Sequence, residues 1–359
     1  MKKQFCTTLS TDAVAAGSVL PWVDLAKGIC ILLVVLMHTV LGIQKDIGQG
    51  GFLLNVVAWT KPFRMPDFFM LSGFLAAGIG ALNWRDFVDR RILHYAYFYL
   101  LWLAIVVCLK SLASGSDAIA QIIVGIAGGI FEPFSTLWFI YVLPFFMLGA
   151  RLANGRAIFV VIILAIVLHI QAASYPAGSV FAMASEWTSS TAFNSFAMFF
   201  VYFLAGYFGR SAIIKITEWA NRAKNRAVVL LFAWGIFHSA ALQWGITDTP
   251  GLTLIFGVAG GLAVSVVCAI VVRLHFLSPL AYCGRHSLAI YLAFVLPMAA
   301  VREVLVGTAV GAYPDLLALI VLSAAVLIPL ALEYVTTRGF FEFLFRRPRW
   351  ARLSGWRPS

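Results

Sequence analysis

Apolar stretches of about twenty residues recur along almost the whole chain, and this feature limits the possible folds more than any other. A helix needs about 20 consecutive, mostly apolar residues to cross the roughly 30 Å of hydrocarbon in a bilayer. The windows that meet this requirement are residues 25–43, 63–82, 92–110, 134–150, 157–173, 192–209, 227–245, 252–273, 284–306 and 316–336. Because an unpaired backbone is costly in lipid, each window should be helical. The sequence therefore predicts an all-α, polytopic membrane helix bundle with about ten transmembrane helices.

The composition supports a membrane protein and excludes several other classes. Of the 359 residues, 62% are hydrophobic and only 11% are charged, which is far from the composition of a soluble domain. The net charge of +11 comes from short basic clusters between the apolar windows. Such clusters are typical of loops that face anionic membrane lipids, so nucleic acid is not an expected partner. The five cysteines show no CxxC pairing, so neither a disulfide framework nor a metal site is predicted.

The positive charges predict which ends of the helices face the cytoplasm. With a cytoplasmic amino terminus, 20 of the 26 Lys and Arg residues lie on the inner side, five lie on the outer side, and Lys27 sits at the inner end of the first window. This is the positive-inside distribution expected of a multi-pass protein of the cell inner membrane. Both termini are then cytoplasmic. The expected domains are a tail of residues 1–24, a membrane domain of residues 25–336 and a basic cytoplasmic tail of residues 337–359.

One apolar segment is ambiguous. Residues 118–131 are only 14 in number and include three glycines. Counting them as another crossing would place the Arg-rich loops that follow on the outer side, against the positive-inside rule. We therefore expect a re-entrant or surface helix here and not a separate crossing.

The first window holds two ionisable residues on one helix face. Eleven residues separate Lys27 from His38, which brings them within about 20° of each other around a helix and about 16 Å apart along its axis. Lys27 lies near the inner edge, where it is either a snorkelling anchor or part of a site, and Asp24 lies one turn earlier and can pair with it. A histidine inside a membrane helix is a candidate functional residue, although many such histidines only form hydrogen bonds between helices.

A second polar cluster is expected at the depth of His38. The second window begins with Arg64, Pro66 and Asp67 and runs inward from the outer side. A carboxylate beside a histidine orients the imidazole for proton transfer, so His38, Asp67 and Arg64 form the predicted catalytic group. The alternative is that Arg64 and Asp67, three residues apart, only neutralise each other.

Three further polar residues are weaker candidates. His169 and His238 fall in the outer halves of their windows, close to glutamines, and would suit an outward-opening polar cavity, although each alone is more often structural. Arg302 stands next to Glu303 near the outer end of the ninth window. It either binds an acidic or sugar acceptor or pairs at the surface.

The ordered set of motifs on these windows resembles acyltransferase family 3, a family of integral membrane proteins that includes bacterial enzymes that O-acetylate glycans. The motifs are Asp24-x-x-Lys27-Gly28 followed by His38, the run Arg64-Met-Pro-Asp67-Phe-Phe-Met-Leu-Ser72-Gly-Phe74, the run Ser135-Thr-Leu-Trp138-Phe139, and the run Gly284-Arg-His-Ser287-Leu-Ala-Ile-Tyr291. Relatives often have a histidine where this chain has Phe294, and often an apolar residue where it has Asp67. The resemblance spans most of the chain.

The resemblance implies transfer of an acyl group from cytoplasmic acyl-CoA, with acetyl-CoA the expected donor, to a hydroxyl of an extracytoplasmic glycan or similar small-molecule acceptor. His38 would act as a general base or as a transient acyl carrier, and Arg64 would hold the oxyanion. Lys27 and Asp24 are assigned to acyl-CoA binding, with the cationic inner mouth attracting the CoA phosphates. The residues assigned to acceptor binding are Trp138, Ser72, His238 and Arg302. No metal is expected, and the oligomeric state stays open.

The rival class is a transporter that exports a small anion or a lipid-linked sugar. Ten crossings with buried ionisable residues would suit it. The sequence shows no internal repeat, however, and the Lys-to-His spacing of the first window has no counterpart in the sixth, as an inverted-repeat transporter would require. A structural or receptor-like membrane protein would leave His38 and Asp67 unexplained.

Overall fold

The structure is a computed structural model that describes residues 20–114, 118–153, 157–174, 190–337 and 339–353. Within these residues every regular element is helical and none is a strand, which confirms the all-α class. The helices are α1 (Pro21–Ile47), α2 (Phe52–Ala76), α3 (Trp84–Phe87), α4 (His94–Ser114), α5 (Ala118–Phe131), α6 (Trp138–Leu152), α7 (Ala157–Ser174), α8 (Thr191–Arg222), α9 (Lys224–Gln243), α10 (Leu252–Val271), α11 (Ser278–Arg285), α12 (Ser287–Ala293), α13 (Val295–Val306) and α14 (Pro314–Thr336). Most of the predicted tail of residues 1–24 lies outside the described residues.

Eight of the described helical segments are long and apolar enough to cross a membrane. They are α1, the continuous α3–α4 helix, the α5–α6 pair, α7, α8, α9, α10 and α14, and α12 with α13 forms a ninth if the bent pair is one span. Residues 119–152 count as a single candidate span, so α5 adds no crossing of its own. The ten predicted windows exceed this count by α2. That helix has 25 residues but carries Lys61, Arg64 and Asp67.

The long helix α2 lies inside the bundle between α1, α8 and α10. Its contact with α8 is a backbone contact, because a Cβ atom at Gly73 would lie 2.0 Å from the carbonyl oxygen of Phe203, and one at Gly206 would lie 1.8 Å from that of Met70. Small residues allow such close approach between membrane helices. Arg64 and Asp67 of α2 are therefore buried among other helices, whereas Lys61 near the outer end is exposed.

The amino-terminal half of α1 packs against α11 in the same way. A Cβ atom at Gly28 would lie 2.0 Å from the carbonyl oxygen of Leu280, and one at Gly284 would lie 1.7 Å from that of Asp24. Both glycines belong to the motifs that the sequence singles out. Their role is to bring the Asp24–Lys27 turn against the α11–α12 connection.

Residues 339–353, which follow α14, fold back onto the bundle. Residues 340–344 and 349–351 form 3-10 turns, the Tyr97 hydroxyl donates to the Phe343 carbonyl at 2.9 Å, and the Trp102 indole donates to the Leu344 carbonyl at 3.0 Å. Residues 339–353 of the predicted basic tail are thus docked beside α4. We call this Arg-rich end of the bundle the inner end and the opposite end the outer end.

Candidate functional site

His38 lies in the outer half of α1, half-buried against a bend in the bundle. Its ring centroid is 5.5 Å from that of Phe294, which is the residue between α12 and α13, where the helix axis turns by 53°. Pro297 lies four residues after Ala293 and has no N–H to donate to the carbonyl of that residue, which explains the bend. The bend places the buried Phe294 ring against the imidazole.

Arg64 is the charged residue that the structure places near His38. The guanidinium is close enough to interact electrostatically with the imidazole, and it is buried. Its Nη1 donates to the Val57 carbonyl at 3.2 Å and to the Thr60 hydroxyl at 3.3 Å, and its Nε has no hydrogen-bond partner among the described residues. Arg64 therefore reaches toward the outer end of its own helix while it keeps one donor unused.

Asp67 does not contact His38, contrary to the expected catalytic group. Its Oδ2 accepts a hydrogen bond from the Cys30 thiol at 2.9 Å, and its Oδ1 is buried with no partner in the described part of the chain. The error has a simple cause: α2 begins at Phe52 and not at residue 63. Asp67 is fifteen residues into the helix, which is about 22 Å at 1.5 Å per residue, so it lies deeper than His38.

The alternative pairing of Arg64 with Asp67 is not formed either. The ion pairs between described residues do not include these two side chains, although both are described. Asp67 instead joins α2 to α1 through Cys30, with Cys268 of α10 nearby. The structure thus supports a packing role for this carboxyl group.

Lys27 lines an internal cavity of about 190 Å³ near the inner end. Its Nζ lies 3.1 Å from Oδ1 of Asp24, so the predicted ion pair of one helix turn is formed. Ser72 lines the same cavity, and its hydroxyl donates to the Phe68 carbonyl at 2.8 Å. The remaining lining residues are Phe68, Leu71, Leu75, Tyr95, Phe139, Ile140, Leu143, Ser287, Leu288 and Tyr291. We call this space the Lys27 cavity.

Helix α12 connects the Lys27 cavity with His38. Tyr291 lines the cavity, and Phe294 follows one helix turn later and contacts the imidazole. Trp138 stands beside this region at the start of α6, with its ring 5.7 Å from that of Phe69 and 5.4 Å from that of Phe199. Trp138 is half-buried in this aromatic cluster. Lys27 and Ser72 therefore share a cavity with Tyr291, and His38 packs against the residue one helix turn farther along.

The two other membrane histidines are buried and hydrogen-bonded to neighbouring helices. His238 is fully buried, its Nε2 donates to the Trp59 carbonyl at 2.9 Å, and its ring stacks on Trp234. His169 is buried between Met198 and Thr253, which lie 2.8 and 2.9 Å from its two ring nitrogens. The expectation that they line an outward-opening cavity is therefore not met, because each is enclosed by neighbouring helices.

Arg302 pairs at the outer surface. Its Nε lies 2.9 Å from a carboxylate oxygen of Asp46 at the end of α1, so its partner is not the adjacent Glu303. The ion pair joins α13 to α1. It engages the side chain that was predicted from the sequence to bind the acceptor.

The structure also shows a basic pocket at the inner end, which the sequence patterns did not predict. It has a volume of about 1280 Å³ and lies between the α3–α4 helix and the docked residues 339–353. Its titratable lining residues are Asp89, Arg90, Arg91, His94, Glu342, Arg346, Arg347, Arg349 and Arg352. The sequence does contain two arginine clusters on the same predicted side of the membrane, but about 250 residues separate them, so only the fold shows that they meet.

Among the described residues no group of three His, Cys, Asp or Glu side chains is placed to hold a metal ion.

These features define a polytopic membrane protein with a candidate site inside its helix bundle. The site comprises an internal cavity and a half-buried histidine, and Phe294, one helix turn beyond the cavity residue Tyr291, packs against the imidazole. The chain belongs to acyltransferase family 3, because the family model, described as an acyltransferase domain, matches residues 20–335.

One relative is similar over a short stretch. The inner membrane protein YcfT of Escherichia coli (strain K12) is 33% identical over 81 residues, which cover 20% of this chain and 23% of that protein. The chain therefore matches about a quarter of the length of this relative. No solved structure matches the chain significantly.

Proposed function

We propose that this multi-pass membrane protein transfers an acyl group, in the first instance acetyl, from acyl-CoA at the inner end to a hydroxyl of a glycan or similar acceptor at the outer end. The inner membrane is the expected location. The observation that supports this proposal most directly is the packing of His38 against Phe294, which lies one helix turn beyond Tyr291 of the Lys27 cavity. A donor and an acceptor that enter from opposite ends would meet at this imidazole.

In the proposed reaction His38 acts as the general base. It accepts the proton of the acceptor hydroxyl while the hydroxyl oxygen forms a bond to the thioester carbonyl carbon. The carbon–sulfur bond then breaks, and the proton passes from His38 to the departing thiolate, which gives an ester and free CoA. The Arg64 guanidinium, which lies within electrostatic range of the imidazole, stabilises the negative charge that develops on the carbonyl oxygen.

The Lys27 cavity suits the narrow part of the donor. Its volume of about 190 Å³ is below the roughly 300–1,000 Å³ of most ligand sites, so it can hold a thin chain but no nucleotide. Lys27 and Ser72 supply polar groups within a wall that is otherwise largely apolar. Trp138, in the neighbouring aromatic cluster with Phe69 and Phe199, remains the proposed acceptor-binding residue.

The experiment that tests the proposal compares His38→Ala with His275→Ala. His275 is an exposed histidine at the inner end, and its replacement is a matched control. Purified protein in vesicles receives acetyl-CoA labelled in its acetyl group, and the release of free CoA and labelled ester is measured. We expect His38→Ala to lower the rate by about 10²- to 10⁴-fold and His275→Ala to leave it unchanged. An unchanged rate in His38→Ala, or movement of an intact solute without loss of the acetyl group, would contradict the proposal.

A further inference from the structure

The basic pocket at the inner end has the size and charge of a site for phosphate groups. Its volume of about 1280 Å³ is large enough for a nucleotide, in contrast to the Lys27 cavity. Its lining contains six arginines and one histidine but only two carboxylates. Arginine is the side chain best suited to planar, bidentate binding of phosphate.

Internal ion pairs hold the pocket in shape and leave cationic side chains for a ligand. Arg347 bonds to the side chain and backbone of Asp89, whose carboxylate also accepts from the backbone N–H of Leu353 at 2.9 Å. This buried group fixes residues 347–353 against the α3–α4 helix. Arg349, by contrast, makes no hydrogen bond or ion pair through its guanidinium within the described ranges. Arg91 has a buried Nε with no hydrogen-bond partner there.

One helix turn connects this pocket to the Lys27 cavity. Arg91 lines the basic pocket, Tyr95 lines the Lys27 cavity, and their side chains are close enough to interact. The two spaces therefore lie on either side of a single Arg–Tyr contact in the α3–α4 helix. A ligand with a phosphorylated nucleotide at one end and a thin chain at the other matches both spaces in order.

We propose that the basic pocket binds the phosphate groups of the donor nucleotide, with Arg91 and Arg349 as direct ligands, while the Lys27 cavity receives the chain that bears the thioester. This inference rests on the proposed function and refines it. It moves the phosphate site from Lys27, which is paired with Asp24, to the arginines of the α3–α4 helix and of the docked carboxyl-terminal segment.

The test measures binding of CoA without turnover. The full chain is purified in nanodiscs of neutral lipid, and the dissociation constants of CoA, 3′-dephospho-CoA and pantetheine are measured by calorimetry. Arg91→Gln and Arg349→Gln should each weaken CoA binding about tenfold, because each removes a charge-assisted hydrogen bond to phosphate. They should leave pantetheine binding unchanged, and 3′-dephospho-CoA should bind more weakly than CoA to the wild type.

Arg222→Gln is the matched control, because it makes the same change of charge at an exposed residue paired with Glu218 outside the pocket. It should not alter CoA binding. A second set of nanodiscs contains phosphatidylglycerol, which offers the phosphate of a lipid headgroup. If the two pocket variants lose affinity for phosphatidylglycerol and keep their affinity for CoA, the pocket is a lipid site and the proposal is overturned.

The outcomes separate this inference from the proposed function. Equal CoA affinity in all variants overturns the pocket assignment, even if His38→Ala abolishes transfer. Arginine-dependent CoA binding supports the pocket assignment, even if no acyl group reaches an acceptor.

Discussion

At the scale of single residues, the buried carboxyl group of Asp67 illustrates how a polar side chain is held inside this bundle. One of its oxygens accepts from the Cys30 thiol at 2.9 Å, and the other has no partner among the described residues. A thiol is a weak donor, so the contact is a modest one between two helices. Because no other described side chain donates to the carboxyl group, the thiol is important for keeping it buried.

We expect Cys30→Ala to destabilise the protein. The substitution leaves both oxygens of the buried Asp67 side chain without a donor, which costs about 1–3 kcal/mol in the free energy of unfolding. The thermal unfolding midpoint in detergent measures this loss. Cys283→Ala is the control, because Cys283 is also buried but contacts no carboxylate in the described structure.

A double variant distinguishes the hydrogen bond from simple packing. Cys30→Ala combined with Asp67→Leu removes donor and acceptor together and leaves no polar group buried, so it should be more stable than Cys30→Ala alone. If the double variant is the less stable of the two, the thiol–carboxyl contact does not have the role assigned here.

The sequence predicts some of the site residues better than others. The shared face of Lys27 and His38 follows from helix geometry alone, and so does the Asp24–Lys27 ion pair, which is formed. The depth of Asp67 depends on where α2 begins, and Lys61, Pro62 and Arg64 give this helix the composition of a loop. Tertiary packing against neighbouring helices keeps it helical from Phe52 onward.

At the scale of elements, close backbone contacts between helices position the site. The packing of α1 against α11 depends on Gly28 and Gly284, where a Cβ atom would overlap a backbone carbonyl of the other helix. Backbone atoms cannot rotate away as a flexible side chain can. Any side chain at these positions must therefore push α1, with Lys27, away from α11.

We expect Gly28→Ala and Gly284→Ala each to destabilise the bundle by about 1–3 kcal/mol through overpacking and to reduce acyl transfer. Gly209→Ala is the matched control, because Gly209 also lies inside a helix but has no atom within 4 Å of the position of a Cβ. That variant should be more stable by about 0.5–1 kcal/mol, since alanine favours the helix. Unfolding midpoints of the three variants provide the comparison, and equal values would show that the α1–α11 contact is not close.

The first and last residues of the helices were predictable to different degrees. Apolar length located most of the membrane helices, but α8 extends to Arg222, well beyond the predicted end at residue 209. The predicted span of residues 284–306 is broken into α12 and α13 with a bend of 53°. Hydropathy cannot detect such features, because a bend at Pro297 and a helix that continues past the membrane both depend on what lies beside them.

At the scale of the whole molecule, the two ends of the bundle differ in charge and in how they are closed. Ion pairs between neighbouring elements occur at the outer end, such as Lys61 with Asp248 and Arg302 with Asp46. At the inner end residues 339–353 dock against the α3–α4 helix and complete the arginine pocket. The proposed reaction takes a phosphorylated donor from one side of the membrane and an acceptor from the other. The arginine-rich end must therefore face the side that contains the donor.

The orientation of α2 decides which of its two ends faces the cytoplasm. We expect α2 to cross the membrane from the outer to the inner side, because the positive-inside rule places the residues after it in the cytoplasm. Gln49→Cys and Gly78→Cys introduce thiols at exposed positions on either side of this helix, in a parent chain in which Cys6 and Cys108 are replaced by serine. A membrane-impermeant maleimide should label Gln49→Cys in intact cells and Gly78→Cys only after permeabilisation.

Each other pattern of labelling has a definite meaning. Labelling of both positions from outside would show that α2 does not cross, and Arg64 would then no longer lie within the bilayer beside His38. A reversed pattern would place the arginine pocket outside the cell, where the proposed donor is not expected. The parent chain without added cysteines should remain unlabelled in both conditions, since its other cysteines, Cys30, Cys268 and Cys283, are buried. The direction of acyl transfer across the bundle therefore depends on which side of the membrane each end of α2 occupies.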